Sequence, residues 1–193
     1  MVASGRIHDA TSPDGRSASQ VKHVCFRMHG QEFALDIAAV RETMAVRPIT
    51  RVFLAPPHFA GIINLRGDVV PVLDVAQLLG LPPIVMTHDT RIVLCQYRQG
   101  QARAEAGDAP GSTAGSGSGE AVTLSAGILV DELGELRMLD VARIEPPPPT
   151  LPRDTAALLG GVVMLDDHTP LQVLDIARLF TSDRVRVFQR EAS

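Results

Sequence analysis

One stretch of this chain occurs twice, and that repetition constrains the fold more than any other feature. Gly61-Ile-Ile-Asn-Leu-Arg-Gly-Asp-Val-Val-Pro-Val-Leu-Asp-Val-Ala-Gln-Leu-Leu79 is echoed by Gly161-Val-Val-Met-Leu-Asp-Asp-His-Thr-Pro-Leu-Gln-Val-Leu-Asp-Ile-Ala-Arg-Leu179, with one residue inserted at the turn. Each copy reads as strand, turn, strand and then a short helix that starts after an aspartate, Asp74 or Asp175. Pro71 cannot donate to a ladder and predicts an edge or bulge position. Farther upstream, Ala34-Leu35-Asp36-Ile37 resembles Leu129-Val130-Asp131-Glu132, each an apolar strand ending at an aspartate. A repeat of this length predicts two similar β lobes.

The rest of the chain fits that plan. Val24, Phe26 and Met28 alternate with Cys25 and Arg27, His29-Gly30 supplies a turn, and Phe33, Leu35 and Ile37 alternate with Ala34 and Asp36. This pattern predicts a hairpin with one buried face. Arg91 to Tyr97, Val122 to Val130 and Leu133 to Leu139 are further strand candidates, and Pro146 to Pro149 predict a short stiff spacer. Residues 1–20 have no hydrophobic period and are expected to be a disordered tail. Residues 99–120 carry Gly115-Ser-Gly-Ser-Gly119 and are expected to be a flexible insertion. The expected organisation is one domain at 21–182, built from two pseudo-repeated lobes, with a tail at 183–193. Short strands, Gly and Pro turns and brief helices fit a mainly β fold of two five-stranded barrels better than a sandwich or a parallel α/β sheet.

Several classes of function are disfavoured by what the chain lacks. With a formal charge of -4 and no run of lysine or arginine, it offers no stripe for phosphates, so nucleic acid is not an expected partner. No apolar stretch approaches the ~20 residues that span a bilayer, so no direct membrane insertion is expected and the cytoplasm is the expected location. Cys25 and Cys95 each sit inside an apolar run and read as buried structural thiols. The six histidines never pair at metal-ligand spacing, and no cofactor motif or nucleophile elbow occurs. Asp74 and Asp175 invite comparison with the dyad of a two-lobed hydrolase. That chemistry wants tight loops with small hydroxyl and glycine neighbours, and Asp74-Val75-Ala76 and Asp175-Ile176-Ala177 look like helix caps instead.

Three blocks, Phe33 to Glu42, Ile49-Thr50 and Ala55 to Asp74 with Asn64-Leu65-Arg66-Gly67 at its centre, closely resemble the signature of the CheW family of chemotaxis coupling proteins. Gly127 to Leu136, Ile144 to Pro148, Gly160-Gly161 and Val173 to Ile176 resemble the family's later blocks, so the likeness runs in order over roughly residues 22–180. The resemblance implies two SH3-like barrels around a shared apolar core and no catalysis. It implies two partners: the cytoplasmic tip of a methyl-accepting chemotaxis receptor, seated in a groove between the lobes, and a CheA-type histidine kinase at the end of a lobe. The family's partner-sensitive positions fall here on Ile37, Val40, Glu42 and Arg66, with Gly67 as the turn that presents the arginine. The expectation is that Arg66 pairs with Glu42. An adaptor of a chemosensory system that controls pili or a second messenger would carry the same signature.

Overall fold

The fold was obtained as a computed structural model, which describes residues 20–99, 122–165 and 168–186. The expected tail before Gln20 and nearly all of the expected insertion at 99–120 lie outside the described residues. Ten strands form in chain order. They are β1 (Gln20–Met28), β2 (Gln31–Asp36), β3 (Val40–Ala45), β4 (Phe59–Leu65), β5 (Asp68–Leu73), β6 (Arg91–Arg98), β7 (Thr123–Val130), β8 (Glu132–Asp140), β9 (Leu159–Met164) and β10 (Pro170–Leu174). Four short helices accompany them: α1 (Val75–Leu78), α2 (Arg153–Ala156), α3 (Ile176–Thr181) and α4 (Asp183–Arg186). Helices this short do not hold themselves together in water. They persist because they bury side chains, Val75, Ala76 and Leu78 in α1 and Ile176, Leu179 and Phe180 in α3.

The strands make two five-stranded sheets, ordered β8-β1-β2-β10-β9 and β3-β6-β7-β5-β4. Position by position the pairings agree: antiparallel, antiparallel, parallel, antiparallel. The two lobes therefore share one topology, as the repeat predicts, and the repeated segments β4-β5-α1 and β9-β10-α3 occupy equivalent places. The lobes are not successive halves of the chain, however. One is continuous, β3 through β7, while the other joins the β1-β2 hairpin to β8, β9 and β10 from the far end.

Each sheet curls far enough to bring its edges together. Thr50, beyond edge strand β3, bridges to Ile62 in the opposite edge strand β4, and Glu145, beyond β8, bridges to Val162 in β9. Each bridge is a reciprocal pair of backbone hydrogen bonds of 2.8–2.9 Å. Repeat position Gly61 or Gly161 lies directly under the bridge in each lobe. A Cβ on Gly61 would fall 2.7 Å from Ile49 Cγ2 and collide with the Thr50 carbonyl, and one on Gly161 would fall 2.5 Å from the Glu145 carbonyl oxygen. The bridge between the edges thus requires the missing side chain at both positions.

The larger apolar cluster draws on both sheets, joining Phe26, Phe33 and Leu35 to Val72, Ile92 and Ile128, while a smaller one (Cys25, Ala34, Leu139, Val163, Leu171, Val173) fills the second lobe. The β1-β2 hairpin separates the two. Cys25 and Ala34 point into the small cluster, and Phe26 and Phe33, whose rings stack at 5.9 Å, point into the large one. The expectation of one buried face is therefore corrected. Both faces are covered, because these are inner strands of a sheet whose outer side the other lobe packs against.

Two further expectations change. Pro71 lies in β5, an inner strand, but β5 pairs with β7 only at Val72 and Leu73, so the proline sits just before the ladder begins and no donor is missed. Order also runs past residue 182, where a tail was expected: α4 follows, Val185 is buried at 3% exposure, and the Arg184 guanidinium donates to the Leu78 carbonyl at 3.2 Å.

Candidate functional site

The β4-β5 turn holds the arginine on which the resemblance centres. Leu65 pairs with Asp68, leaving Arg66 and Gly67 as the two loop residues, with φ of 56° and 98°. Two consecutive positive φ values define a type I′ hairpin turn, which favours glycine at the second position and is uncommon for arginine at the first. Asn64 supports the turn by accepting the Gly67 N–H on Oδ1 at 3.1 Å. The backbone thereby fixes the direction in which the Arg66 side chain leaves the turn. Its Nη2 donates to Glu42 Oε2 at 3.1 Å, so the expected pairing is present. β3 and β4 are opposite edges of one sheet, and the ion pair is a side-chain link between those two edges. Arg66 is 73% exposed, and a pair this wet contributes ~0–1 kcal/mol, so its consequence is orientation rather than stability.

Two residues before Glu42, Val40 opens β3, and the strand carries one extra residue, Arg41, between the pairs Val40–Cys95 and Glu42–Leu94. Such a bulge re-aims neighbouring side chains. Val40 is half-buried against the core and lines a cleft of about 1110 Å³ between the lobes. Ala38, Arg41 and Tyr97 face this cleft from one side, and Val21, Ile144 and Ile176 from the other. Ile37 belongs to a 3₁₀ turn, Ile37–Ala39, whose start is capped by Asp36 accepting the Ala38 N–H at 2.9 Å. It is 37% exposed and stands outside the cleft lining. Neither Ile37 nor Val40 is a core residue, then, but only Val40 reaches the cleft. Arg66, Gly67 and Glu42 form one group at the turn, and Val40 connects it along β3 to the mouth of the cleft. Tyr97 and Ile144 were not among the expected site residues, because in the sequence they read only as the end of a strand candidate and the start of a family block.

The paired aspartates do not meet. Asp175 lines the inter-lobe cleft and caps α3, accepting the Arg178 N–H at 3.0 Å and pairing with the Arg178 guanidinium at 3.3 Å. Asp74 lines a different cavity, of about 620 Å³. It occupies the cap position of α1 but makes no cap bond, which corrects the cap reading for this copy. Its Oδ2 instead accepts the Ile84 N–H and the Gln77 amide, both at 2.9 Å, and ties down the loop after α1, while Oδ1 has no partner among the described residues. Two carboxylates in separate cavities cannot share a proton, so the geometry of an aspartic dyad is not built here. Among the described residues, no helix is long and apolar enough to cross a membrane. No three potential ligands among His, Cys, Asp and Glu gather there into a group able to hold a metal.

The model of the CheW-like domain matches residues 22–184. Chemotaxis protein CheW of Bacillus subtilis is 27% identical over 154 residues, covering 80% of this chain and 83% of that protein. Protein FrzA of Myxococcus xanthus is 26% identical over 185 residues, 93% of this chain and 99% of that one. Among solved structures, the scaffolding protein TtCheW of Thermoanaerobacter tengcongensis superposes with a TM-score of 0.66 at 25% identity, covering 93% of this chain and 96% of its own. With the family model spanning most of its length, and the two-lobed fold and the Asn-Leu-Arg-Gly turn in place, the chain belongs to the CheW-like domain family.

Proposed function

We propose that this protein is a non-enzymatic adaptor of a chemotaxis system, coupling the cytoplasmic tip of a methyl-accepting receptor to a CheA-type histidine kinase. The observation that carries the reading is the Arg66–Glu42 pair, held by a strained two-residue turn and joined through Val40 to a cleft between the lobes. A preset charged pair beside a partly apolar cleft suits a helix-in-groove contact, in which apolar side chains enter the cleft and polar ones register on the rim. The exposed pair adds little to folding, which leaves its geometry to be explained by binding. A contact of micromolar strength, about -8 kcal/mol, stays reversible for one adaptor, and many linked contacts gain stability from effective concentration.

The test is co-sedimentation and pull-down with a CheA-type kinase and a receptor cytoplasmic fragment from the same cell. Wild type should capture both. Arg66→Glu should lose receptor capture while keeping the kinase, and adding Glu42→Arg should restore part of it. Capture of neither partner by wild type, or an Arg66→Glu variant as competent as wild type, would defeat the proposal.

A further inference from the structure

The polar side chains that line the inter-lobe cleft divide by lobe. On the wall formed by β1, β2 and the start of α3, each is already engaged. His23 Nδ1 lies 2.9 Å from the Val21 carbonyl oxygen, Asp36 accepts the Ala38 N–H, and Asp175 accepts the Arg178 N–H and pairs with its guanidinium. On the wall formed by β3 and β6, Arg41, Gln96, Tyr97 and Arg98 line the same cleft. None of these four side chains has a hydrogen bond or ion pair among the described residues.

Strand geometry brings them there. Consecutive strand residues point to opposite faces, yet Val40 and Arg41 both line the cleft, because Arg41 is the extra residue of the β3 bulge. β6 pairs with β3 no farther than Cys95, which lies opposite Val40, so Gln96, Tyr97 and Arg98 run past the start of β3 into the cleft wall. A guanidinium group donates hydrogen bonds and accepts none, so this wall offers donors and positive charge with no acceptor of its own chain to meet them. Asp36 and Asp175 face the cleft from the other wall, where Arg178 offsets the charge of Asp175. Positive charge is therefore in excess, and it is gathered on the β3–β6 side.

We propose that Arg41 and Arg98 are specificity residues of the cleft, selecting a partner helix that carries carboxylates along one edge of its apolar stripe. The inference rests on the reading of the cleft as the receptor site and adds which face of the receptor helix it takes. The apolar stripe packs on Val40, Ile144 and Ile176, and the carboxylates meet the two guanidinium groups, which suit bidentate pairing. The same arrangement fixes the rotation of the helix. Turned the other way, its carboxylates would approach Asp36 and leave both arginines desolvated without partners, an outcome that discriminates by repulsion as well as attraction. Arg66 differs from this pair, since Glu42 already offsets its charge.

The salt dependence of receptor binding therefore separates the two groups of residues. The probe is the receptor cytoplasmic fragment from the same cell, and its affinity for the full-length protein is measured from about 0.05 to about 0.5 M salt. Wild-type affinity should fall roughly tenfold over this range. Arg41→Gln with Arg98→Gln should bind about tenfold more weakly at low salt and lose most of the salt dependence. Arg47→Gln with Arg153→Gln removes the same charge outside the cleft and should behave as wild type. Replacing the acidic residues of the fragment's tip by amides should weaken wild type and leave the Arg41→Gln, Arg98→Gln variant unchanged. The substituted arginines are exposed, and an unaltered thermal transition verifies folding. A cleft variant as tight as wild type, equal weakening by the outlying pair, or wild-type binding indifferent to the amides would overturn the proposal and leave the receptor reading standing. Wild type that captures no receptor fragment would overturn both.

Discussion

Replacing Gly61 with alanine tests whether the closing bridge is what this position serves. The added methyl would lie 2.7 Å from Ile49 Cγ2 and 2.9 Å from the Thr50 carbonyl carbon, on backbone with φ of 142°. If the bridge holds, the cost is overpacking of ~1–3 kcal/mol plus strain of ~1–3 kcal/mol from a backbone conformation disfavoured for alanine. If the bridge yields, both Thr50–Ile62 hydrogen bonds of 2.9 Å are lost, at ~0.5–1.5 kcal/mol each, and the β3–β4 loop detaches at that end. The protein takes the cheaper route, so a loss of about 1–3 kcal/mol is expected, or roughly 2–12 °C in Tm for a domain of this size. Gly30→Ala is the control, since Gly30 also has positive φ, 73°, but nothing lies within 4 Å of its Cβ position. Its cost should be limited to the conformational ~1 kcal/mol. Urea unfolding followed by circular dichroism gives both values, and amide exchange at Thr50 and Ile62 shows whether the bridge opens. Should Gly61→Ala cost no more than Gly30→Ala, closure by this bridge would not be the reason for the glycine. Gly161→Ala repeats the experiment in the other lobe.

Three further outcomes follow from the geometry. Reversing Arg66 to Glu should change unfolding free energy by less than ~1 kcal/mol, because the pair is largely exposed; a larger loss in a urea titration would make it a structural bridge. Asp74→Ala strips the buried Ile84 N–H of its acceptor and should cost ~1–3 kcal/mol without preferentially fraying α1, while Asp175→Ala should cost ~0.5–2 kcal/mol and loosen α3 first, as amide exchange would show. Burial pushes the Cys95 thiol well above its ordinary range, and Cys25 is also raised, chiefly by burial with Arg137 opposing. Thiolate is therefore scarce in the folded protein across neutral and mildly alkaline pH, and labelling of Cys95 by a thiol reagent at pH 8 should proceed only as fast as the protein opens; rapid labelling without unfolding would contradict its burial.

What could be read from the sequence was local. Alternation located most strands, Arg66-Gly67 announced a hairpin turn, and Asp175 capped α3 as its type and place predict. The family blocks add the Arg66–Glu42 pair, which no spacing rule would find, since the partners are 24 residues apart and on opposite edges of a sheet. The repeat foretells two lobes of one kind, because identical local patterns fold into identical hairpins. Which strands join which lobe is a matter of pairing between distant segments, and there the tertiary structure decided. It sent β1 and β2 to the far end of the chain and buried both faces of that hairpin between two cores. It also turned Asp74 from helix cap to loop anchor, and left Phe53 and Leu54 in solvent. A residue's neighbours along the chain set its backbone preference, but what covers its side chain depends on elements the chain brings in from elsewhere.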